Sequence, residues 1–475
     1  MVILAILLVI LAVVSVIRPL YGFMLYVAIR LCLPTSIRVM NFSFNTIAFL
    51  VMTIFILPEL IKRVKNLRAT SWNYMFCRDF LFFVSGLLAL SLVAAVWGVV
   101  PLPYQLSKLS QMVYTELLPA ILLVIIMKKK SNLKLFNTVI AVCAFFSLLY
   151  AIFTFVAQTN PIYEFFYTQE DDMFNAAANS RSGMLEGVAV GIYNNKISMS
   201  LMSLLYFTYF FNKIEINKTL IGTVIILSFI VTILTSQRSA ILAEFLFLGY
   251  MLFTGRYKAD NRKLLMGGVS LIAAICLISI VQFENIGNVL KATFLMFDDK
   301  AQDAMGVSGS TVELRIMQYL TVFSMIKQYM LQGMGYGFPA YFYEVIWDVK
   351  KYGLRDDVAG FESILLPILS SSGLIGLCLW IKMFYGVVKL QIRQCVIKIQ
   401  RHYISAFSFA YLFVVTLTDT TGSMYLFFLL SAMNIYYMNL SRENLFTKLI
   451  MVKMLREFSK KSNLKNKQFK IWPNR

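Results

Sequence analysis

The chain has 475 residues, 59% of them hydrophobic and only 14% charged, with a mean hydropathy of +0.72. A soluble protein of this length needs far more charge to coat its surface, so a soluble globular fold is excluded. The net charge of +20 admits two readings, nucleic-acid binding or membrane topology, and the positions of the basic residues decide between them.

Apolar runs long enough to cross ~30 Å of hydrocarbon recur along the chain. In lipid such runs must be helical, because no water satisfies the backbone there. The expected fold is therefore all-α and polytopic. Helices are expected at 2–17, 20–36, 43–61, 80–99, 111–127, 136–157, 188–211, 218–235, 239–254, 264–281, 362–388, 403–418 and 424–439, with twelve to fourteen spans in total. The first run lacks a basic leader and a small-residue cleavage site, so it reads as a retained helix rather than a signal peptide.

With the N-terminus outside, most of the 44 lysines and arginines fall on the cytoplasmic side. They include Lys62, Arg63, Lys65 and Arg68, then Lys128, Lys129 and Lys130, then Arg256, Lys258, Arg262 and Lys263, and the tail after 440. The charge is thus a topology signal, and no nucleic-acid partner is expected. The basic tail is expected to rest on anionic lipid. The chain divides into a helix bundle over 1–281 with an outer loop at 158–187, a large outer loop over 282–361, three last spans over 362–440, and the tail 441–475. Within the large loop, Ser310–Leu331 carries a helical stripe of Leu314, Met317, Leu320, Phe323 and Ile326, followed by the turn-rich GMGYGF at Gly333–Phe338. Long loops that connection alone does not require carry function. The cysteines Cys32, Cys77, Cys143, Cys276, Cys378 and Cys395 are scattered, and the single histidine is His402, so neither a metal site nor a disulfide framework is expected.

Seven polar residues in the outer half draw attention. Arg238, in LTSQRSA, lies between two apolar spans with almost no loop. It is either a snorkelling arginine or a guanidinium meeting an anion. Arg315, in STVELRIMQYL, is a solvated helix residue or part of the same site, and Arg181, in NSRSG, is a loop charge or a third member. Arginine forks hold phosphate oxygens bidentately and keep their charge, so several together would hold a pyrophosphate. Glu362 opens ESILLPILSSSGLIGLCLW at the outer mouth and serves either as a helix cap or as a general base. Lys196, about two turns into the 188–211 span, snorkels or binds substrate. Asp419, in TDTTGS, caps a helix or lines a cavity. Tyr336 and the aromatic residues after it suit sugar rings and the membrane interface equally.

Three stretches together resemble the O-antigen polymerase and O-antigen ligase superfamily of bacterial surface-polysaccharide assembly. LTSQRSAILAEFLFLGYMLF is similar to its serine-arginine motif and apolar helix; ELRIMQYLTVFSMIKQYMLQGMGYGF resembles its arginine, amphipathic helix and Gly-x-Gly turn; ESILLPILSSSGLIGL resembles the segment that closes the outer loop. The resemblance spans about 180–380, in matching order. It implies a multi-pass protein of the bacterial cytoplasmic membrane with its active site facing the periplasm or cell exterior. The implied reaction is cofactor-free, metal-independent glycosyl transfer from an undecaprenyl-pyrophosphate-linked glycan, with a flippase and a chain-length regulator as implied partners. Arg238 and Arg315 would bind the pyrophosphate, with Arg181 beside them. Ligases of the family usually carry a histidine where this chain has Glu362, which favours a polysaccharide polymerase over ligase-type attachment to another acceptor. A lipid-linked oligosaccharide flippase is the competing transporter reading, against which stand the absence of sequence repeats and the size of the outer loop.

Overall fold

A computed structural model of the chain describes residues 2–34, 37–39, 42–65, 71–127, 130–157, 159–166, 189–193, 195–211, 217–235, 237–254, 312–342, 363–418 and 423–439. Helices dominate these residues. They begin with α1 (Val2–Ile17) and α2 (Pro19–Cys32), which starts on a proline whose fixed φ suits a first helical turn. The two pack closely where Gly22 meets Ser15: a Cβ on Gly22 would lie 2.2 Å from the serine hydroxyl. A two-residue hairpin, Arg38–Val39 with Phe42–Ser43, leads into α3 (Phe44–Val64) and α4 (Trp72–Trp97). Next come α5 (Leu102–Met112), a π-helical turn (Val113–Leu117) and α6 (Leu118–Ile126), which together form one span. The chain continues with α7 (Lys130–Ala157), α8 (Pro161–Phe166), a 3-10 turn (Gly191–Tyr193), α9 (Lys196–Phe210), α10 (Lys218–Leu234) and α11 (Arg238–Phe253). The last part holds α12 (Val312–Ile326), α13 (Phe338–Tyr341), α14 (Leu365–Gln394), α15 (Lys398–Leu417) and α16 (424–439).

The layering is that of a membrane protein. Helix α9 is buried along its length from Ser198 to Phe210, and α16 is buried almost throughout. A helix that is apolar all round and buried sits at the centre of its bundle. The outer helices instead turn large apolar side chains outward, as at Val13 of α1 and Leu81 and Val96 of α4. Among the described residues, five helical segments are long and apolar enough to cross a membrane: Phe44–Val64, Trp72–Trp97, Leu102–Ile126, Ser131–Ala157 and Leu365–Gln394. The architecture is all-α and polytopic. Aromatic stacking joins the last helices, with the rings of Tyr411 and Phe427 4.3 Å apart and those of Phe384 and Phe428 5.5 Å apart.

Several expected boundaries move, each for a local reason. Helix α2 ends at Cys32 rather than 36, because Pro34 cannot continue it. Helix α4 begins eight residues before position 80, because the Ser71 hydroxyl caps it by accepting from Tyr74 N at 3.3 Å. The 188–211 span is not one helix: Gly191 takes φ +57° in a 3-10 turn, and the side chain of Asn195 caps a new helix by accepting from Ile197 N and Ser198 N at 2.8 and 3.1 Å. Lys196 therefore stands at the first residue of α9, not two turns inside a span. The helix expected at Ser310–Leu331 is described over Val312–Ile326 and ends in a 3-10 turn, Lys327–Tyr329. The span at 264–281 and the loop segment at 167–187 lie outside the described residues.

Candidate functional site

The irregular backbone lies at one end of the bundle. Helix α14 is broken at Gly373, where φ is +61° and ψ is −161°. A broken helix inside a membrane protein leaves amides and carbonyls that some other backbone must satisfy. Here the segment 330–335 does so. Leu374 N donates to Met330 O at 2.9 Å and Ile375 N to Leu331 O at 3.1 Å, while Met334 N and Gly335 N donate to Ser370 O and Ser371 O at 2.8 and 3.2 Å. The two backbones cross so closely that neither can carry a side chain. A Cβ on Gly333 would lie 2.4 Å from Ser372 N, and one on Gly373 would lie 2.4 Å from Leu331 O.

Two further ties fix this junction. The turn after α4 joins it through Val99 N and Val100 N, both donating to Met334 O. Gln105, wholly buried, donates to Val100 O at 2.8 Å and accepts from Tyr336 N at 3.0 Å. Ser363 forms the second tie. Its hydroxyl donates to Thr416 O at 2.8 Å, so the 2.9 Å contact with Tyr319 has the tyrosine as donor. Helix α12 is thereby fastened to the start of α14 and the end of α15.

Beside the junction lies a cavity of about 340 Å³. Its lining mixes polar side chains, Lys108, Gln111, Thr115, Glu116 and Tyr336, with apolar ones, among them Ile364, Ile368 and Trp380. Ser372 also lines it, and its buried hydroxyl has no hydrogen-bond partner among the described residues. Burial, reinforced by Glu116, pushes the Tyr336 phenol up from its ordinary value, so it meets the cavity as a neutral hydroxyl.

Glu116 is held from behind. One carboxylate oxygen accepts from Arg30 at 3.3 Å, and the other accepts from Tyr425 N at 2.7 Å, capping the first turn of α16. The Arg30 guanidinium lies over the Tyr425 ring, 3.5 Å from its centroid, and donates to Thr115 O and to the Tyr26 hydroxyl. Sequence reasoning passed over this pair. The available signal was a lone arginine in the apolar run AIRLCL, which in a membrane span calls for a partner.

Of the sequence-derived candidates, Tyr336 lines the cavity. Arg315 lies on α12, four residues and so one helical turn before Tyr319, with its side chain outside the described residues. Glu362, Arg181 and Asp419 lie outside the described residues, though Ser363, the chain neighbour of Glu362, is the tie just described. Arg238 is the first residue of α11 and half-buried. Helices α11 and α15 run antiparallel, with Tyr250 and His402 bonded at the far end, so Arg238 stands at the end where Thr416 meets Ser363. Lys196 is at this end too, since Ala189 N donates to Leu234 O across the neighbouring turn. Neither Arg238 nor Lys196 is among the residues lining the cavity.

No curated protein matches the chain. A family model described as O-antigen ligase matches residues 223–381, a stretch that runs from α10 through α12 and the glycine turn to the middle of α14. The crossing of Gly333 and Gly373 falls inside it.

Proposed function

We propose, from the premise that residues 223–381 belong to the O-antigen ligase family, that the protein is a polysaccharide polymerase. It would join undecaprenyl-pyrophosphate-linked oligosaccharide repeat units at the outer face of the cytoplasmic membrane. O-antigen polymerase or ligase-type activity follows from the family; the donor, the polymerase outcome and the outer face are our reading. The transporter alternative gains no support from the family match.

The observation that carries the reading is the tie between Tyr319 and Ser363 beside a cavity lined by both polar and apolar side chains. It holds the helix bearing Arg315 against the residue that follows Glu362. Apolar side chains beside hydroxyl, amide and cationic groups suit a glycan whose anchor is a lipid. In the proposed step, an acceptor sugar hydroxyl attacks the anomeric carbon of the donor. Glu362 takes the hydroxyl proton, the new glycosidic bond forms, and the lipid pyrophosphate leaves with the electron pair of the broken C–O bond. Arg238 and Arg315, with Arg181, would stabilise the departing charge, a role fixed cations perform in a water-poor site.

The test is incubation of purified protein with lipid-linked repeat units, resolved on a gel. A ladder of products supports polymerisation; one addition to a separate acceptor identifies a ligase. Glu362→Ala is expected to lower the rate by at least roughly a hundredfold, the contribution of a positioned general base. Arg238→Ala and Arg315→Ala should each cost on the order of 10²-fold or more, as loss of one charge-stabilising donor does. If all three variants made normal ladders, the site assignment would fall.

A further inference from the structure

The opposite end of the bundle holds a second cavity, of about 370 Å³, between α4 and α14. Its position follows from helix geometry. Arg78 precedes Gly98 by twenty residues of nearly continuous helix, a rise of about 30 Å, which is the thickness of a bilayer's hydrocarbon core. The two helices run antiparallel here: Phe83 meets Trp380 at 4.8 Å, and a Cβ on Gly386 would come within 3.0 Å of Asp79. Gly386 thus lets the backbone of α14 approach Asp79 closely at the edge of the cavity.

Four cations border this hollow: Arg78, Lys382, Lys389 and Arg393. The last three lie on one stripe of α14 with Gly386, at intervals of three or four residues. All four are exposed. Asp79 is the acid of the hollow and bonds Arg78 at 2.9 Å. Lys382, Lys389 and Arg393 have no carboxylate partner among the described residues; Lys382 lies over the Phe82 ring at 3.4 Å and Lys389 over that of Tyr385 at 5.1 Å. The rest of the lining is apolar, with Met75, Phe82, Leu379 and Leu390. The flanking surface is apolar and outward-facing, as at Leu81, Ile381 and Tyr385.

We propose that this hollow is a binding site for an anionic phospholipid. A headgroup phosphate would sit between Arg78, Lys389 and Arg393, with its glycerol beside Lys382 and its acyl chains along Phe82 and Leu379. The hollow carries four cations against one carboxylate, an excess of positive charge facing lipid that an anionic headgroup offsets in part and a zwitterionic one does not. Its apolar walls offer a free phosphate ion nothing, so the occupant is the lipid. The site is separate from the glycan cavity and does not depend on the reading of that cavity.

The test uses full-length protein reconstituted into bilayers of equimolar phosphatidylglycerol and phosphatidylcholine, then extracted in mild detergent, with retained lipids counted by native mass spectrometry. Wild type is expected to retain phosphatidylglycerol in preference. Lys389→Gln/Arg393→Gln is expected to weaken that preference roughly 25-fold, each basic group near anionic lipid being worth about a factor of five. Arg78→Gln alone, on an exposed side chain, should weaken it about fivefold and serves if the double variant fails to insert. Equal retention of the two lipids by wild type would overturn the site. So would an unchanged preference in the variants, or displacement of phosphatidylglycerol by inorganic phosphate or by undecaprenyl phosphate at equal concentration.

Discussion

Replacing Gly373 by alanine tests the crossing of the two backbones. Its φ of +61° with ψ of −161° falls in a region open essentially to glycine, and placing alanine there costs roughly 1–3 kcal/mol. The new methyl carbon would also stand 2.4 Å from Leu331 O, so the two segments must part. Parting them weakens the bonds from Leu374 N to Met330 O and from Ile375 N to Leu331 O, each worth about 1 kcal/mol net. The sum is roughly 3–5 kcal/mol of destabilisation. Gly249 supplies the control. It lies inside α11, where an added Cβ meets nothing within 4 Å, and alanine there should be neutral or gain up to about 1 kcal/mol from helix propensity. The same substitution is thus expected to act with opposite sign at the two glycines. Thermal unfolding of both variants in detergent, followed by gel filtration of heated samples, reads the difference. A Gly373→Ala protein that melts at or above Gly249→Ala would refute the crossing as described.

Three more outcomes follow from the same residues. Glu116→Ala leaves the Arg30 guanidinium buried without its carboxylate and should cost roughly 3–5 kcal/mol, whereas Arg30→Met with Glu116→Met should recover much of it; melting temperatures in a double-mutant cycle measure the coupling, and additive losses would deny it. Gln105→Leu strips Tyr336 N and Val100 O of their partner and should cost about 1–3 kcal/mol, seen as faster proteolysis within 333–338; cleavage at the wild-type rate would count against the tether. Ser363→Ala removes the tie to Tyr319 at a cost of about 1 kcal/mol, yet glycosyl transfer should fall by a larger factor than melting shifts, and a normal transfer rate would detach this tie from the reaction.

The sequence made the apolar elements legible where an apolar run is bounded on both sides by polar or turn residues. Val2–Ile17, Lys218–Leu234 and 424–439 lie within a residue of expectation. It misled where a polar pair interrupts a helix, as Arg78 and Asp79 do in α4, and where a glycine and an asparagine divide an apolar run, as Gly191 and Asn195 do. GMGYGF was readable as a turn, because glycines announce backbone that side chains would obstruct. Its partner, SSSG in α14, was not readable as a break, because a broken helix is stable only when distant backbone completes it. The Arg30–Glu116 pair escaped because its members are 86 residues apart, and a lone arginine in an apolar run calls for a partner without naming it. Tyr336 was chosen for its aromatic ring and lies at the cavity, although its neighbour Glu116 was never considered.

The π-helical turn at Val113–Leu117 has a mechanical consequence for this cavity. It inserts one surplus residue into an otherwise α-helical span, and each residue of an α-helix turns its successors by about 100°. That offset lets a single rod point Gln105 at the glycine turn and Glu116 at Arg30 and Tyr425. Deleting any one residue of the turn would restore regular winding and rotate one half of the rod against the other. Both grips could not then hold at once, and the helix would behave as a key cut for only one of its two locks.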